Sequence, residues 1–268
     1  QREARRPQYD FVDVDIDRYN LDGKLRQVML SPRELIFSNV TKGSQTWVNR
    51  TFFYTHGYGL TMIPVNEVTR EGLPNMYIYD IPPKTNDPWK QKIERPEIYF
   101  GEGEKSFRGE TGELPYVIVN PNDPSPQEFD YPKGDDAAYN SYSGVDGVQI
   151  SNFWRRLALA LRFPGDTRNI LFSGKIKNTS KILFNRSISQ RVRSIAPFLR
   201  YDKDPYIVVS EGKIYWIQDA YTTTHMFPYS EPMTEQVTEV LAGKRRITQH
   251  RVWGNYIRNS VKVVIDAY

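Results

Sequence analysis

The sequence predicts an α+β fold, mainly antiparallel sheet and hairpins, with two to three amphipathic helices packed on the sheet. Two β-rich runs surround Glu211-Gly212 between residues 206 and 217, which is the clearest hairpin signal in the chain. Apolar side chains recur at helical spacing in residues 151–163 and 187–199. Aromatic residues form 13% of the 268 residues, so we expect a folded chain with a substantial core.

Short strands dominate the first half of the chain. Residues 11–17 alternate Val12, Val14 and Ile16 with three aspartates, which predicts a half-buried strand with its apolar side chains inward. Residues 25–30 are its predicted partner across the turn at Asp22-Gly23. Ser44 is a candidate cap for a short helix that ends near Phe53. Further strands are predicted at 76–79, 97–100 and 116–119, with an exposed hairpin loop at 102–113.

The two clearest helices lie in the second half. The first, at 151–163, is predicted to use an apolar face that comprises Phe153, Trp154, Leu157, Ala158 and Leu161. The second, at 187–199, carries a stripe of Ile188, Val192, Ile195 and Leu199, and Pro197 should end or kink it. A helical segment is also predicted at 232–242 and a final strand at 256–267. Residues 133–147 contain three glycines and are predicted to be a loop, where the single domain of residues 1–268 could divide into two lobes.

Composition excludes several classes of site. The net charge of +4 is slight and spread along the chain, so it does not favour a nucleic-acid partner. Cysteine is absent, which excludes disulfides, thiol catalysis and zinc ribbons. No run of apolar residues is long enough for a membrane span, and no signal-peptide pattern is present. The start at Gln1 and the strand-like end suggest a piece of a longer protein.

The densest polar-aromatic segment is residues 54–59, where Tyr54, His56 and Tyr58 alternate with Thr55, Gly57 and Gly59. The glycines indicate a tight, packed turn. The three aromatic side chains are candidate ligand-binding residues, and His56 is a candidate general base. The alternative is a structural histidine hydrogen-bonded inside the turn. His225 and His250 do not have metal-ligand spacing with each other or with His56, so no metal site is predicted from the histidines.

A second candidate region surrounds Asp219 and Tyr221, in a stretch rich in tyrosine and threonine. Such residues line polar-ligand clefts and protein interfaces, although a tyrosine-rich core is the alternative. Asp13, Asp15 and Asp17 could offer oxygen ligands to calcium, but an extended strand spreads them, which favours a solvated face. No Gly-x-Ser-x-Gly elbow and no phosphate-binding glycine loop is present, so no catalytic residues and no cofactor are predicted.

Eight short segments follow one another in an informative order. They are residues 12–19, 46–49, 54–59, 80–83, 96–102, 191–199, 216–223 and 256–262. In this order they resemble UPF0182, an uncharacterised family of prokaryotic multi-pass membrane proteins, from about residue 8 to the end. The resemblance implies a piece of the large water-soluble region that follows the family's membrane region and is predicted to lie outside the cytoplasm. The charged loop near 103–113 and the segment 231–250 look longer than the family pattern.

The leading functional hypothesis is an extracytoplasmic domain that binds a ligand, an envelope component or a protein partner. Its own transmembrane region would be its other partner, at the cell membrane. The alternatives are an extracytoplasmic, metal-assisted hydrolase that uses His56 with nearby carboxylates, and a structural assembly domain. An enzyme predicts a concave site with an ionisable neighbour beside His56 or Asp219. A binding module predicts an aromatic pocket, and an assembly domain a broad exposed apolar face.

Overall fold

The computed structural model describes residues 8–102, 108–109, 112–113, 116–121, 127–133, 136–227, 229–241 and 244–268. Antiparallel sheets with a few short helices make up these ranges, which confirms the α+β prediction. The strands are β1 (Tyr9–Phe11), β2 (Asp15–Leu21), β3 (Lys24–Leu35), β4 (Gly57–Tyr58), β5 (Leu60–Pro64), β6 (Ile78–Tyr79), β7 (Lys84–Thr85), β8 (Glu97–Ile98), β9 (Arg108–Gly109), β10 (Gly112–Glu113), β11 (Tyr116–Val119), β12 (Glu128–Lys133), β13 (Asp136–Asn140), β14 (Val148–Gln149), β15 (Lys181–Phe184), β16 (Arg200–Tyr201), β17 (Tyr206–Ser210), β18 (Lys213–Thr224), β19 (Pro232–Leu241) and β20 (Lys244–Asp266). The α-helices are α1 (Phe153–Arg162), α2 (Thr167–Phe172) and α3 (Ile188–Ile195), and shorter helical turns cover Phe37–Asn39, Lys42–Ser44, Asn49–Phe53 and Pro164–Asp166.

Strand β3 organises the N-terminal sheet. Its first half pairs with β2, its second half with β1, and its middle also pairs with β5, while β6 and β7 extend the sheet beyond β5. The β2–β3 hairpin turns at Asp22-Gly23, where both residues adopt positive φ angles of 50° and 74°. Aspartate and glycine tolerate this conformation, so the predicted hairpin is confirmed at its predicted turn.

The predicted inward face of the first strand is wrong. Asp15 is 8% exposed, whereas Val14 is 55% and Ile16 59% exposed. The polar face is inward because it bonds the free edge of β17: the N–H of Ile207 donates to Asp15 Oδ2 at 2.9 Å, and the N–H of Val209 donates to Tyr19 Oη at 2.9 Å. Buried N–H groups at a strand edge need hydrogen-bond acceptors. The need to bond the N–H groups of β17 therefore decides which face of β2 points inward.

The C-terminal sheet is built on two long strands. β18 pairs with β17 across the predicted turn, where Glu211 and Gly212 have φ angles of 51° and 75°, and also with β16 and β20. β20 is 23 residues long, and its first half pairs with β19. The helix predicted at 232–242 is therefore wrong. A bulge between Val237 and Thr238 interrupts the period-two pattern of β19, which is why its sequence does not read as a strand.

We use "arm" for β19 together with residues 244–255 of β20, which pair with it. The loop predicted at 133–147 is corrected in part: residues 136–140 form β13, which pairs with β12 in an antiparallel hairpin, whereas residues 141–147 lie in neither a strand nor a helix. The possible division of the chain into two lobes at that point stays a prediction. In the charged segment 102–113, strands β9 and β10 pair with each other as a hairpin, while residues 103–107 and 110–111 lie outside the described residues.

The helices begin and end close to the predicted positions. Asn152 caps α1, since its Oδ1 accepts the N–H of Arg155 at 2.9 Å. α3 ends at Ile195, before Pro197, as predicted. Ser44, the predicted cap of the segment near Phe53, lies instead in a 3-10 turn, and Thr46 Oγ1 accepts the N–H of Asn49. None of the helices in the described ranges is long and apolar enough to cross a membrane.

The predicted burial of α1 is wrong for most of its apolar face. Phe153, Trp154 and Leu161 are 58%, 74% and 75% exposed, and only Ala160 of the helix is buried. The space beneath α1 is filled by a separate core cluster that includes Phe52, Ile118, Ile150, Phe163, Ile170 and Ile182. In α3, Ile188 and Val192 are buried as predicted, but Ile195 is 70% exposed.

The largest core cluster joins the two main sheets. Val28, Leu30 and Met62 of the N-terminal sheet belong to the same cluster as Ile207 and Trp216 of the C-terminal sheet. Tyr77, Tyr99 and Tyr142 fill the space between them. The indole Nε1 of Trp216 donates to the carbonyl of Phe100 at 2.9 Å, so even the largest core side chain has its polar atom satisfied.

Candidate functional site

The segment that contains His56 is tightly enclosed. Gly57 and Tyr58 form β4, which pairs with β8. A Cβ atom at Gly57 would lie 2.4 Å from the carbonyl oxygen of Arg33 and 2.9 Å from the Cα of Glu34. Gly59 has a φ of 70°, which glycine adopts without strain. Glycine is therefore required at Gly57 by the close approach of β3 and at Gly59 by the backbone conformation.

His56 lies between two acceptors inside the protein. It is 0% exposed, its Nδ1 lies 3.0 Å from the carbonyl of Gly57, and its Nε2 lies 3.3 Å from Asp130 Oδ1. The second contact meets the distance of an ion pair but is not aligned as a hydrogen bond. Burial alone lowers the pKa of His56, but Asp130, Glu128 and Glu97 outweigh it, so the pKa is raised. Two oxygen neighbours and nearby carboxylates together favour the imidazolium.

Glu128 is the acceptor at the centre of this buried network. Its carboxylate accepts hydrogen bonds from Thr55 Oγ1 at 2.5 Å, Tyr99 Oη at 2.8 Å and the N–H of Tyr142 at 2.9 Å. Burial raises the pKa of Glu128, while His56 and these donors act in the opposite direction. Arg186, which is 2% exposed, donates from Nε to the carbonyl of Tyr99 and from Nη2 to that of Thr55. This geometry supports the structural interpretation of His56.

A second cluster collects carboxylates. One oxygen each of Asp13, Glu102 and Asp204 lies within 4.8 Å of the other two, an arrangement of hard donors that could hold a divalent cation. Burial, together with Asp13, Asp15 and Asp204, raises the pKa of Glu102 to about 9. Asp15 has its pKa raised to about 6, chiefly by burial. Asp13 was a candidate from the sequence, whereas Glu102 and Asp204 come from distant segments that the fold brings to it.

The raised pKa of Glu102 makes stability depend on pH. A carboxyl with a higher pKa when folded holds its proton more tightly when folded, so stability falls as the pH rises from its ordinary 4.5 toward about 9. We expect Glu102→Gln to increase the free energy of unfolding at pH 8 by about 1–2 kcal/mol, allowing for solvent screening at this partly exposed position. Urea unfolding in the presence of a chelator, repeated between pH 5 and pH 9, measures the free energy of unfolding of both chains. The exposed Glu71→Gln is the matched control, and an unchanged pH dependence in Glu102→Gln would contradict the expectation.

An open cleft of about 710 Å³ lies next to the arm, among residues that the structure describes. We call it the arm cleft. Three parts of the chain form its walls: the segment from α3 to β16, strand β18, and the beginning of the arm. Its polar and aromatic lining includes Arg193, Arg200, Lys203, Tyr221, Trp253 and Tyr256, together with Tyr201 and Asp202. This volume lies in the range typical of small-molecule sites.

The arm cleft combines positive charge with aromatic surfaces. Arg193, Arg200 and Lys203 oppose a single acidic side chain, Asp202. The guanidinium carbon of Arg200 lies 3.8 Å from the ring centroid of Trp253, which is close stacking. The rings of Tyr221 and Tyr256 meet edge to face at 5.6 Å. Burial, followed by Asp202, raises the pKa of Tyr221, so its hydroxyl stays a proton donor. These groups suit an anionic ligand with a planar part.

The five candidate ligand-binding residues that the sequence indicated lie in different parts of the structure. Tyr54 packs edge to face against Phe129, and Tyr58 is 5% exposed in the same enclosed region as His56. Burial, with Asp130 and Glu97, raises the pKa of Tyr58. Asp219 pairs at the surface with Lys262, at 2.5 Å. Of the five, Tyr221 alone lines the arm cleft. Arg200 and Trp253 were missed, since only the pairing of β16 and β20 with β18 brings them to it.

Comparison with known proteins gives one consistent result. The family model for an uncharacterised protein family, UPF0182, matches residues 1–268. A UPF0182 protein of Pelotomaculum thermopropionicum is 46% identical over 268 residues, which are 100% of this chain and 26% of that protein. One from Methanospirillum hungatei is 43% identical over 268 residues, which are 100% of this chain and 27% of that protein. The chain thus spans about a quarter of the length of the curated relatives it matches. No solved structure matches.

Proposed function

This chain belongs to the UPF0182 family of uncharacterised proteins, and from that membership and its geometry we propose an extracytoplasmic binding domain for an anionic ligand. The observation that carries the proposal is the arm cleft, with its three cationic side chains and its aromatic walls. An anion that enters the cleft is attracted by Arg193, Arg200 and Lys203, while Trp253 and the tyrosines offer flat surfaces to an apolar or planar part.

Preorganisation favours binding at Arg200 and Tyr201. Stacking on Trp253 holds the guanidinium of Arg200 before a ligand arrives, so less conformational entropy is lost on binding. The hydroxyl of Tyr201 is fixed by hydrogen bonds to the carbonyls of Val192 and Ala196, both at 2.9 Å. These contacts hold the segment after α3 as a rigid wall of the cleft.

The membrane context is part of the proposal. The family resemblance implies a multi-pass membrane region, and the relatives are long enough to contain one beside this domain. We propose that the domain is held on the extracytoplasmic side of the cell membrane by its own transmembrane region, with an envelope-derived small molecule or segment as ligand. Protease access to this region from outside intact cells that express a full-length relative tests the placement, and full protection would contradict it.

The enzymatic alternative has less support from the geometry. It requires an ionisable pair that a substrate can reach. The pair of His56 and Asp130 lies in the interior, with His56 0% exposed. The pair of Asp219 on β18 and Lys262 on β20 lies on the surface, and neither residue lines the arm cleft. A binding role therefore fits the described residues better than a hydrolytic one.

Binding of naphthalene-1-sulfonate tests the arm cleft. This probe joins one anionic group to a planar ring, and titration calorimetry measures its dissociation constant. We expect binding that weakens about tenfold or more in Trp253→Ala and in Arg200→Gln, because each removes one half of the stacked pair. The uncharged 1-naphthalenemethanol should bind at least about tenfold more weakly than the sulfonate.

The matched control is Trp154→Ala, which removes an exposed tryptophan outside the cleft. Probe binding should be unchanged in this variant. If the two cleft variants bind the sulfonate as tightly as the parent chain, or the chain does not bind it at all, the anionic-ligand proposal is wrong.

A further inference from the structure

Helix α1 presents an apolar stripe to solvent. Trp154, Ala158 and Leu161 follow one another at spacings of four and three, which places them on one side of the helix. Trp154 is 74% and Leu161 75% exposed, and Ala158 is exposed as well. Ala160 faces the opposite way and is buried in the core. The helix therefore has its best apolar surface on the side that the rest of the described chain does not cover.

The same region concentrates positive charge. Residues 153–177 contain six basic side chains and one acidic one, a net charge of +5, whereas the whole chain has +4. Arg155 and Arg162 lie on α1 next to the stripe and are exposed, as are Arg168 and Lys175 further along. The single acid, Asp166, is already paired with Arg50 at 2.6 Å. The charge that surrounds the stripe is thus almost entirely positive.

Hydrogen bonds fix helix α1, which carries the stripe, to the segments around it. Asn152 caps the start of α1, and Thr167 Oγ1 donates to the carbonyl of Ala160 at 3.1 Å near its end. Arg156 donates from Nη2 to the carbonyl of Ile176 at 2.5 Å, which ties α1 to the segment after α2. Phe172, at the end of α2, adds another ring that is 78% exposed. A rigid apolar stripe with basic side chains beside it matches an interfacial helix that lies flat on a bilayer.

We propose that the outward face of α1 docks on the surface of an anionic lipid bilayer. Trp154 and Leu161 enter the boundary between head groups and acyl chains, and Arg155 and Arg162 contact lipid phosphates. The positive charge around the stripe favours an anionic bilayer over a second copy of the chain as the binding partner. A second copy of the chain would bring a second strongly positive surface against the first, and like charges oppose such a contact. The proposal needs no ligand in the arm cleft and stands independently of it.

Vesicle sedimentation tests the docking surface. The chain is mixed with vesicles of phosphatidylcholine alone or of phosphatidylcholine with phosphatidylglycerol, and the bound fraction gives a partition coefficient. We expect binding to the anionic vesicles that weakens as salt is added. The double variant Trp154→Ser with Leu161→Ser should lower the partition coefficient about a hundredfold, since each side chain contributes about tenfold. Arg155→Gln with Arg162→Gln should remove much of the salt dependence.

The matched control is Phe198→Ser with Val145→Ser, which removes one aromatic and one aliphatic side chain that are 76% and 98% exposed outside α1. It should bind vesicles like the parent chain. All these positions are exposed, so circular dichroism should show unchanged folding. Absence of binding, equal binding to neutral vesicles, or binding that the α1 variant does not change would overturn the proposal. Self-association that only the α1 variant abolishes would assign the face to a second copy instead. Trp253→Ala should bind vesicles normally, which separates this test from that of the cleft.

Discussion

Replacing Arg186 with methionine is expected to cost about 3–5 kcal/mol of the free energy of unfolding, because it removes a buried cation from charged partners. Arg186 is 2% exposed, and its guanidinium bonds the carbonyls of Tyr99 and Thr55. Methionine is an unbranched apolar side chain that is shorter than arginine and has no donors, so both carbonyls lose their partner. The buried carboxylates of Glu34 and Glu128, whose charge acts on Arg186, are left with less compensation.

Urea unfolding followed by circular dichroism measures this loss. Arg70→Met is the matched control, since Arg70 is exposed and the same atoms are exchanged there. It should change stability by less than about 0.5 kcal/mol. Equal urea midpoints for Arg186→Met and Arg70→Met would contradict this prediction, because they would show that methionine can replace the buried guanidinium without loss of stability.

The second large effect is expected at Gly57. A methyl group there would overlap the carbonyl oxygen of Arg33 at 2.4 Å and the Cα of Glu34 at 2.9 Å, both backbone atoms of β3. Because backbone cannot rotate away as a side chain can, Gly57→Ala should cost about 3 kcal/mol or more, above the usual range for overpacking. β4 would have to move away from β3, and His56 would move with it.

Gly43→Ala provides the comparison for Gly57→Ala. A Cβ atom at Gly43 meets nothing within 4 Å, and its φ does not lie in the left-handed region. Thermal unfolding should leave Gly43→Ala at or slightly above the parent melting temperature, since alanine reduces the entropy of the unfolded chain. A parent-like melting temperature for Gly57→Ala would contradict the close approach of the two strands.

Sequence reasoning worked where a local rule decides the structure. The turns at Asp22-Gly23 and Glu211-Gly212 use residues that adopt positive φ, so both hairpins were predictable. The end of α3 before Pro197 follows from proline chemistry. The positions of α1 and α3 follow from apolar spacing that few other structures produce.

The errors at β2 and α1 share one physical cause. An alternating or helical pattern shows that an element has two different faces, but it does not say which face the rest of the chain covers. β2 turns its aspartates inward because the free edge of β17 needs acceptors, and α1 turns Trp154 outward because other side chains already fill the core beneath it. Both outcomes depend on segments far away in the sequence.

The candidate site was predictable to the same limited extent. Tyr221 was singled out for its polar-aromatic surroundings, and it does line the arm cleft. Arg200 and Trp253 become its neighbours only through strand pairing over long sequence separations. The carboxylate cluster shows the same limit, since Asp13, Glu102 and Asp204 belong to three separate regions of the chain.

The buried network around Glu128 has a consequence for how the chain folds. Its donors Thr55, Tyr99 and Tyr142 come from three remote parts of the sequence, and Arg186 reaches two of those parts from a fourth. Bringing such distant segments together costs loop-closure entropy before any of the bonds can form. Chains dominated by non-local contacts fold slowly for this reason. We therefore expect the network to form late, and a chain synthesised only as far as Tyr142 cannot complete it because it still lacks Arg186.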